Sequence, residues 1–151
     1  MLNNDYKEML QCLSEENVKF LLVGAYAVAA YGFPRATKDI DILVRPTRDN
    51  ASSLMKALAR FGAPLGGVSA EDFSTEGVVF QIGNSPRRID ILTRISGVEF
   101  QKAYERRQVI ALEGIEVPVI SLDDLIANKR ATGRTQDLAD VERLEAIRAG
   151  D

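Results

Sequence analysis

Two stretches of this chain decide its fold: FLLVGAYAVAAYG, residues 20–32, and DIDILVRP, residues 39–46. The first opens with an apolar run typical of a buried strand, and Gly24 then separates that run from an alanine-rich segment that favours a helix. The second places aspartates at alternate positions of an otherwise apolar segment. Because side chains alternate across a strand, Asp39 and Asp41 are predicted to share one face, while the apolar residues between and after them face the core.

The same patterns extend outward along the rest of the chain. Helices are predicted over 5–16, 25–31, 50–61, 100–107, 121–130 and 137–149, and strands over 20–23, 39–44, 78–82, 88–93, 109–112 and 115–120. Residues 62–76 are predicted to be a loop-rich connection. This order predicts an α/β or α+β fold, in which helices pack on a mixed sheet and a helical tail closes the chain.

Length and charge bound the kind of protein. A chain of 151 residues predicts one domain over 1–151 with its own core. The net charge of −3 argues against a protein that coats nucleic acid, so any RNA contact would use a local basic patch. The start lacks a signal-peptide pattern, and the longest apolar run, near 20–31, is too short to span a bilayer. We therefore expect a cytoplasmic protein with no membrane partner.

The sequence contains no histidine, and this absence narrows the chemistry. Ser-His-Asp and Cys-His catalysis are excluded, and so are histidine metal sites. Chemistry near neutral pH must then rest on carboxylates, a lysine, or a hard metal ion bound by oxygen.

Three aspartates are the candidate metal ligands. Asp39 and Asp41 are predicted to lie roughly 7 Å apart on one strand face, where a Mg²⁺ or Mn²⁺ ion would relieve their repulsion. Asp90 lies in a second apolar-acid-apolar strand. If the two strands are neighbours, it becomes a third ligand and can accept the proton of an attacking hydroxyl. The alternatives are exposed acids on an edge strand and, for Asp90, a plain surface residue, although aspartate is disfavoured in strands.

Gly24 is the candidate phosphate-binding turn. It stands between a strand and a helix, where a missing side chain lets the backbone approach a ligand. The helix start after it offers free N–H groups and a positive dipole end, which suit a phosphate. The alternative is an ordinary turn glycine. The sequence thus places a predicted phosphate site beside a predicted metal site.

Basic residues flank both acidic strands, with Lys38 and Arg45 beside the first and Arg87, Arg88 and Arg94 beside the second. Solvated surface charge is the usual role of such residues. The alternative is that they offset the charge of a triphosphate or hold an RNA backbone.

The chain resembles the nucleotidyltransferase superfamily, whose polymerase-beta-like signature is a hydrophobic strand, a glycine turn, a helix and Asp-x-Asp on the next strand. The segment 24–32, with Arg35-x-Thr37 ahead of the acidic strand, is similar to a small bacterial branch related to AbiEii and AbiGii toxins. The tail, SLDDLIANK over 121–129 and GRTQDLAD over 133–140, is similar to the Lys…Arg…Lys-Asp-x-x-Asp stretch of that branch.

The resemblance implies transfer of a nucleoside monophosphate from a nucleoside triphosphate to a hydroxyl of RNA, protein or a small molecule. It implies Mg²⁺ or Mn²⁺ as cofactor and, for one half of a toxin–antitoxin pair, an antitoxin partner. The residues implied are Asp39, Asp41 and Asp90 for metal binding and catalysis, and Gly24, Ala25, Arg35, Thr37, Lys129, Arg134 and Asp137 for the nucleotide. The chain departs from the pattern at Ala25, where relatives usually carry Gly or Ser, and at Gln136, where many carry Lys.

Two other function classes stay open from the sequence. One is a nucleotidyltransferase-fold module that binds nucleotide or metal with little turnover, which Ala25 favours. The other is a two-metal nuclease, against which the glycine turn argues. In the tail, Lys129 and Arg134 have the alternative role of solvated helix-end cations. For Asp137 and Asp140, the alternative role is that of acids in the first turn of a helix, and this is the interpretation preferred for Asp140.

Overall fold

Residues 2–33 and 38–150 are described by a computed structural model, and within these ranges six strands form one mixed sheet. The helices are α1 Asn4–Glu15, α2 Gly24–Ala30, α3 Arg48–Phe61, α4 Ala70–Phe73, α5 Phe100–Glu105, α6 Leu122–Thr132 and α7 Thr135–Arg148. The strands are β1 Phe20–Val23, β2 Ile40–Val44, β3 Val79–Ile82, β4 Ile89–Leu92, β5 Gln108–Leu112 and β6 Ile115–Val119. A mixed sheet with packed helices and a helical tail confirms the predicted fold class.

The strand order of the sheet is β3-β4-β2-β1-β6-β5. Strand β2 runs antiparallel to β1 and parallel to β4, with Val23 opposite Asp41 on one side and Asp90 opposite Asp41 on the other. The end of β1, the start of β2 and the start of β4 therefore meet at one end of the sheet. This register brings the glycine turn and both acidic strands together.

Burial of apolar side chains on both sides of Asp41 holds β2 in the centre of the sheet. Ile40 and Ile42 are fully buried, as their alternation with the aspartates predicted. Each such side chain contributes about 1.5–3 kcal/mol when it leaves water. That gain outweighs the low strand propensity of aspartate, because the whole scale of strand propensities spans only about 1 kcal/mol.

Tyr6 on α1 ties together the two segments that enter the acidic strands. Its side chain is fully buried, and its hydroxyl donates to the carbonyl oxygens of Lys38 at 2.9 Å and Arg88 at 3.2 Å. Its ring packs edge-on against Tyr26, with centroids 5.4 Å apart. Burial, followed by the nearby Tyr26 and Asp39, raises the pKa of Tyr6 to about 12, so the hydroxyl stays a donor.

Helix α4 lies inside the predicted loop 62–76, so that prediction is wrong over Ala70–Phe73. Ser69 and Asp72 form a reciprocal capping box, and Phe73 is buried edge-on against Phe80 with centroids 5.7 Å apart. A four-residue helix is too short to show a hydrophobic period, and the capping box is its one sequence signal.

The helices in the described part of the chain are all too short or too polar to traverse a lipid bilayer.

Candidate active site

A cleft of about 560 Å³ opens where the acidic strands meet the helical tail. Most of the site residues predicted from the sequence line it: Gly24, Ala25, Asp39, Asp41, Asp90, Lys129, Arg134 and Asp137. The predictions for Arg35 and Thr37 fall outside the described residues. Gln136, the second departure from the family pattern, also lines the cleft.

Gly24 brings the first turn of α2 against the acidic strand. Its φ of +69° is a left-handed conformation that favours glycine. A Cβ at this position would collide with the carboxylate of Asp41. Two constraints therefore require glycine at position 24: the backbone angle and the carboxylate packed against it. The sequence predicted the turn but not the contact with Asp41.

Asp41 carries a strongly perturbed carboxyl group. Burial raises its pKa to about 7, and the charge of Asp90, a hydrogen bond with Asp90 and the charge of Asp39 add to the rise. Lys129 opposes the rise without cancelling it. Near neutral pH, Asp41 therefore gives up its proton less readily than an ordinary aspartate, and a cation placed beside it would favour its charged form.

Asp39 lies one residue before β2, rather than within the strand as predicted, and still lines the cleft. The Ser85 hydroxyl and the backbone N–H of Arg88 (2.9 Å) both donate to its carboxylate. Burial raises the pKa of Asp39, but these hydrogen bonds and the charges of Arg88 and Lys38 bring it below its ordinary value. Asp39 and Asp41 thus have opposite pKa shifts, because burial and neighbouring acids dominate at Asp41, whereas donors and cations outweigh burial at Asp39.

Arg88 contacts two of the three carboxylates. Its Nε donates to Oδ1 of Asp90 at 2.6 Å, and its Nη2 donates to Oδ2 of Asp90 at 3.1 Å. The same Nη2 lies 3.3 Å from Oδ2 of Asp39. Such a two-pronged pair is the strongest arginine–carboxylate geometry. The sequence had offered Arg88 only as one of several flanking cations.

The chemistry of these side chains fits a hard divalent cation. Carboxylate oxygens are the ligands that Mg²⁺ and Mn²⁺ prefer, and Asp41 lacks a full counter-charge. In residues 2–33 and 38–150, no group of three or more His, Cys, Asp or Glu side chains is close enough together to hold a metal ion. Instead, Arg88 supplies the positive charge at Asp39 and Asp90.

A second charged cluster lies beside the cleft where α6 meets α7, and Lys129, Arg134 and Asp137 of this cluster line the cleft. Lys129 lies 3.3 Å from a carboxylate oxygen of Asp137 and 3.3 Å from one of Asp140. Asp137 also accepts hydrogen bonds from Thr132 at 2.7 Å and from Arg134 at 2.7 Å. Burial raises the pKa of Asp137, but Arg134, Thr132 and Lys129 together lower it far below its ordinary value.

This cluster corrects two of the alternatives considered for the tail, those for Lys129 and Asp140. Lys129 is not a solvated helix-end cation, because it is buried with its amino group between two carboxylates. The preferred interpretation of Asp140 is wrong: α7 begins at Thr135, so Asp140 lies beyond its first turn and is buried. Asp137 does lie in the first turn, and it too is buried.

The wall between the two clusters was missed from the sequence. Gly97, with a backbone close to α6, has no room for a Cβ beside Ala127 and Ala131. Next to it, Asn128 donates to the carbonyl oxygen of Ser96 at 2.9 Å, and both residues line the cleft. The SG dipeptide at 96–97 signals a turn, but its contact with a helix thirty residues later has no local signal.

Comparison with known proteins agrees with this architecture. The model of one family, described as the nucleotidyl transferase AbiEii toxin of a type IV toxin–antitoxin system, matches residues 8–146. No curated protein matches the chain.

Solved structures share the fold at low sequence identity. The lincosamide antibiotic adenylyltransferase LnuA, bound to lincomycin, has a TM-score of 0.63 at 14% identity, over 97% of this chain and 98% of its own. The antibiotic-resistance factor ANT(2'')-Ia has a TM-score of 0.62 at 15% identity, over 97% and 88%. An antigenic nucleotidyltransferase-like protein from Paracoccidioides brasiliensis has a TM-score of 0.55 at 18% identity, over 92% and 72%. At such identities, the likeness shows a common fold.

Proposed function

This chain belongs to the family of AbiEii-type nucleotidyltransferases, an enzyme family, and we propose that its cleft performs metal-dependent nucleotidyl transfer. The observation that carries the proposal is the meeting of Gly24, Asp39, Asp41, Asp90 and Lys129 in the lining of one cleft. In the proposed reaction, a hydroxyl oxygen of the acceptor attacks the α-phosphorus of a nucleoside triphosphate. The bond from that phosphorus to the bridging oxygen breaks, and pyrophosphate leaves.

Asp39, Asp41 and Asp90 are the residues proposed to hold Mg²⁺ or Mn²⁺. Such an ion stabilises negative charge on the attacking and leaving oxygens of phosphoryl transfer. Asp90 is proposed to take the proton of the attacking hydroxyl, since it faces the cleft directly opposite Asp41. The high pKa of Asp41 supports the need for a cation here, because its proton and a metal ion compete for the same oxygens.

The turn at Gly24 is proposed to receive the triphosphate. Ala25 offers only its backbone N–H, because it has no hydroxyl to add. Lys129 and Arg134 provide positive charge across the cleft, and Arg134 is the more available of the two, with 76% of its side chain exposed. Asp137 is proposed to shape the nucleotide pocket by fixing Arg134 at 2.7 Å.

The acceptor and the partner belong to the proposal as well. The family description names a toxin of a toxin–antitoxin system, so we propose a protein antitoxin as partner. RNA, protein and small molecules are the acceptor classes to compare. Small molecules are included because LnuA was solved with lincomycin and ANT(2'')-Ia with adenylyl-2''-tobramycin.

A second candidate function is a nucleotide-binding module with little turnover. The contacts of Arg88 with Asp39 and Asp90 favour it, because they hold oxygens that a metal ion would need. Ala25 favours it too, because it weakens the phosphate turn.

The test is transfer of label from each of the four α-labelled nucleoside triphosphates, with Mg²⁺ or Mn²⁺, to total RNA, to protein and to aminoglycoside or lincosamide antibiotics. Asp41→Asn removes a proposed ligand without changing its size, and we expect transfer to fall at least about 100-fold. Asp123→Asn is the matched control, because that side chain is 71% exposed and pairs with Arg148 outside the cleft. Nucleotide binding without transfer in the wild type would favour the module.

A further inference from the structure

We propose that Arg88 is a built-in counter-cation, which neutralises the carboxylate cluster in the metal-free protein and leaves it when a divalent cation binds. The inference rests on the proposed function, since it concerns the same carboxylates. It goes further by assigning to this arginine a role in controlling metal affinity, rather than a role toward the nucleotide.

The contacts of Arg88 are those of a competitor for the metal. Both carboxylate oxygens of Asp90 accept from its guanidinium, at 2.6 and 3.1 Å, and Asp39 is 3.3 Å away. A metal ion ligated by Asp90 would bind an oxygen that already accepts from the guanidinium, and two positive charges beside one carboxylate repel each other. The guanidinium cannot relieve this repulsion by giving up its charge, because arginine stays protonated in proteins. Movement of the side chain relieves it instead.

The backbone of Arg88 is anchored by hydrogen bonds of its own, separate from the contacts of its side chain. The backbone N–H donates to Asp39 at 2.9 Å, and the carbonyl oxygen accepts from the N–H of Ile40 at 3.0 Å and the hydroxyl of Tyr6 at 3.2 Å. The side chain is 28% exposed and lines the cleft. A rotation of the side chain alone would therefore release the carboxylates, leave the strand in register and keep the guanidinium in the cleft.

Position distinguishes Arg88 from the other arginines of this region. Arg94 lines the same cleft and Arg87 is the preceding residue, and both are exposed. Neither forms an ion pair with Asp39, Asp41 or Asp90, all of which the structure describes. The proposed control of metal affinity therefore depends on the two-pronged contact and not on general positive charge.

The experiment is a Mn²⁺ titration, by calorimetry and by the electron paramagnetic resonance signal of free Mn²⁺, of wild type, Arg88→Gln, Arg87→Gln and Asp41→Asn. If Arg88 competes with the metal, we expect Arg88→Gln to bind Mn²⁺ about ten-fold more tightly, since charge-assisted hydrogen bonds that oppose binding are gone. Arg87→Gln should bind as the wild type does. A merely structural arginine predicts the opposite sign, because disordered carboxylates bind metal more weakly.

Two further measurements complete the test. The Nε–H resonance of Arg88, followed by NMR, should move as Mg²⁺ saturates the wild type. If Arg88→Gln unfolds, Arg88→Lys retains the charge without the two-pronged contact and should also bind Mn²⁺ more tightly than the wild type.

The outcomes separate this inference from the proposed function. Mn²⁺ binding that depends on Asp41 but is equal or weaker in Arg88→Gln, or an unmoved Arg88 resonance, overturns the role of Arg88 alone. Absence of Mn²⁺ binding in wild type and Arg88→Gln alike contradicts the metal site itself, and the inference fails with it.

Discussion

Two clusters of aspartates lie beside the same cleft, and they differ in how their charge is balanced. The strand cluster, Asp39, Asp41 and Asp90, has one arginine in contact, and Asp41 has a pKa raised to about 7. The tail cluster, Asp137 and Asp140, shares the buried amino group of Lys129, and the pKa of Asp137 is strongly lowered.

The difference separates stability from function. Both clusters consist of the same residue type, and Asp137 and Asp140 are more deeply buried than Asp39 and Asp41, yet the pKa is raised at Asp41 and lowered at Asp137. The tail cluster has its cation built in by the sequence and braces α6 against α7. The strand cluster lacks part of its positive charge, which is the arrangement expected where an enzyme keeps room for a charged ligand. We therefore expect that removing a charged side chain destabilises the tail cluster, and that removing charge from the strand cluster reduces the repulsion within it.

The largest expected effect comes from breaking the tail cluster. Lys129→Met keeps the volume but removes the cation that two buried aspartates share, and we expect a loss of about 3–5 kcal/mol in the free energy of unfolding. Arg130→Met, one residue away, removes a half-exposed cation paired with Glu145 at 2.7 Å, and should cost at most about 1 kcal/mol. Urea denaturation of both variants measures the difference. Equal losses would mean that the tail cluster is ordinary surface charge.

A smaller effect is expected where the strand cluster meets the glycine turn. Gly24→Ala strains a φ of +69° and pushes a methyl group into the Asp41 carboxylate, for a loss of about 2–4 kcal/mol. Gly62→Ala, with a φ of +93° and nothing within 4 Å of the added atom, isolates the backbone cost of about 1 kcal/mol. Adding Asp41→Ala to Gly24→Ala should recover the excess. Absence of that recovery would show that Asp41 does not press on the turn.

The pH dependence of stability should be the mildest of these effects. Asp41 holds its proton more tightly in the folded protein than in the unfolded chain, so the metal-free protein loses stability as pH rises from about 4 to 7. Between pH 5 and 8 we expect a loss of about 2–3 kcal/mol. The chain has no histidine to titrate in that window. Asp137 acts in the opposite direction, since its stabilising charge is lost only as pH falls below about 4.

Thermal unfolding at a series of pH values, without divalent metal, measures this slope. Asp41→Asn should flatten it, because the amide does not titrate. A slope that persists in Asp41→Asn would place the titrating group elsewhere.

The sequence predicted the strands well because their signals are local. Alternating apolar residues around Asp39 and Asp41, and the matching pattern around Asp90, carry the orientation of each side chain in a period of two. The prediction for Asp90 required the two acidic strands to be neighbours, and β2 and β4 are adjacent in the sheet. The family resemblance, confirmed by the match over 8–146, had already implied the same arrangement.

The charge partners could not be predicted in the same way. Arg88 and Arg87 are adjacent and chemically identical, and only the tertiary arrangement directs one guanidinium to Asp90. Asp140 was misjudged because the start of α7 was placed two residues late, which moved a buried acid into an exposed first turn. Ion pairs depend on which way a side chain points after folding, and in a helix that direction changes by about 100° from one residue to the next.

The most direct test of the central claim is a crystal structure of the protein with a non-hydrolysable nucleoside triphosphate and Mg²⁺. We expect an ion ligated by the carboxylates of positions 39, 41 and 90, with phosphate oxygens against the turn at position 24 and the guanidinium of Arg88 turned away. A triphosphate bound elsewhere, or bound in the cleft with Arg88 still paired to Asp90 and no ion between the strands, would contradict that claim.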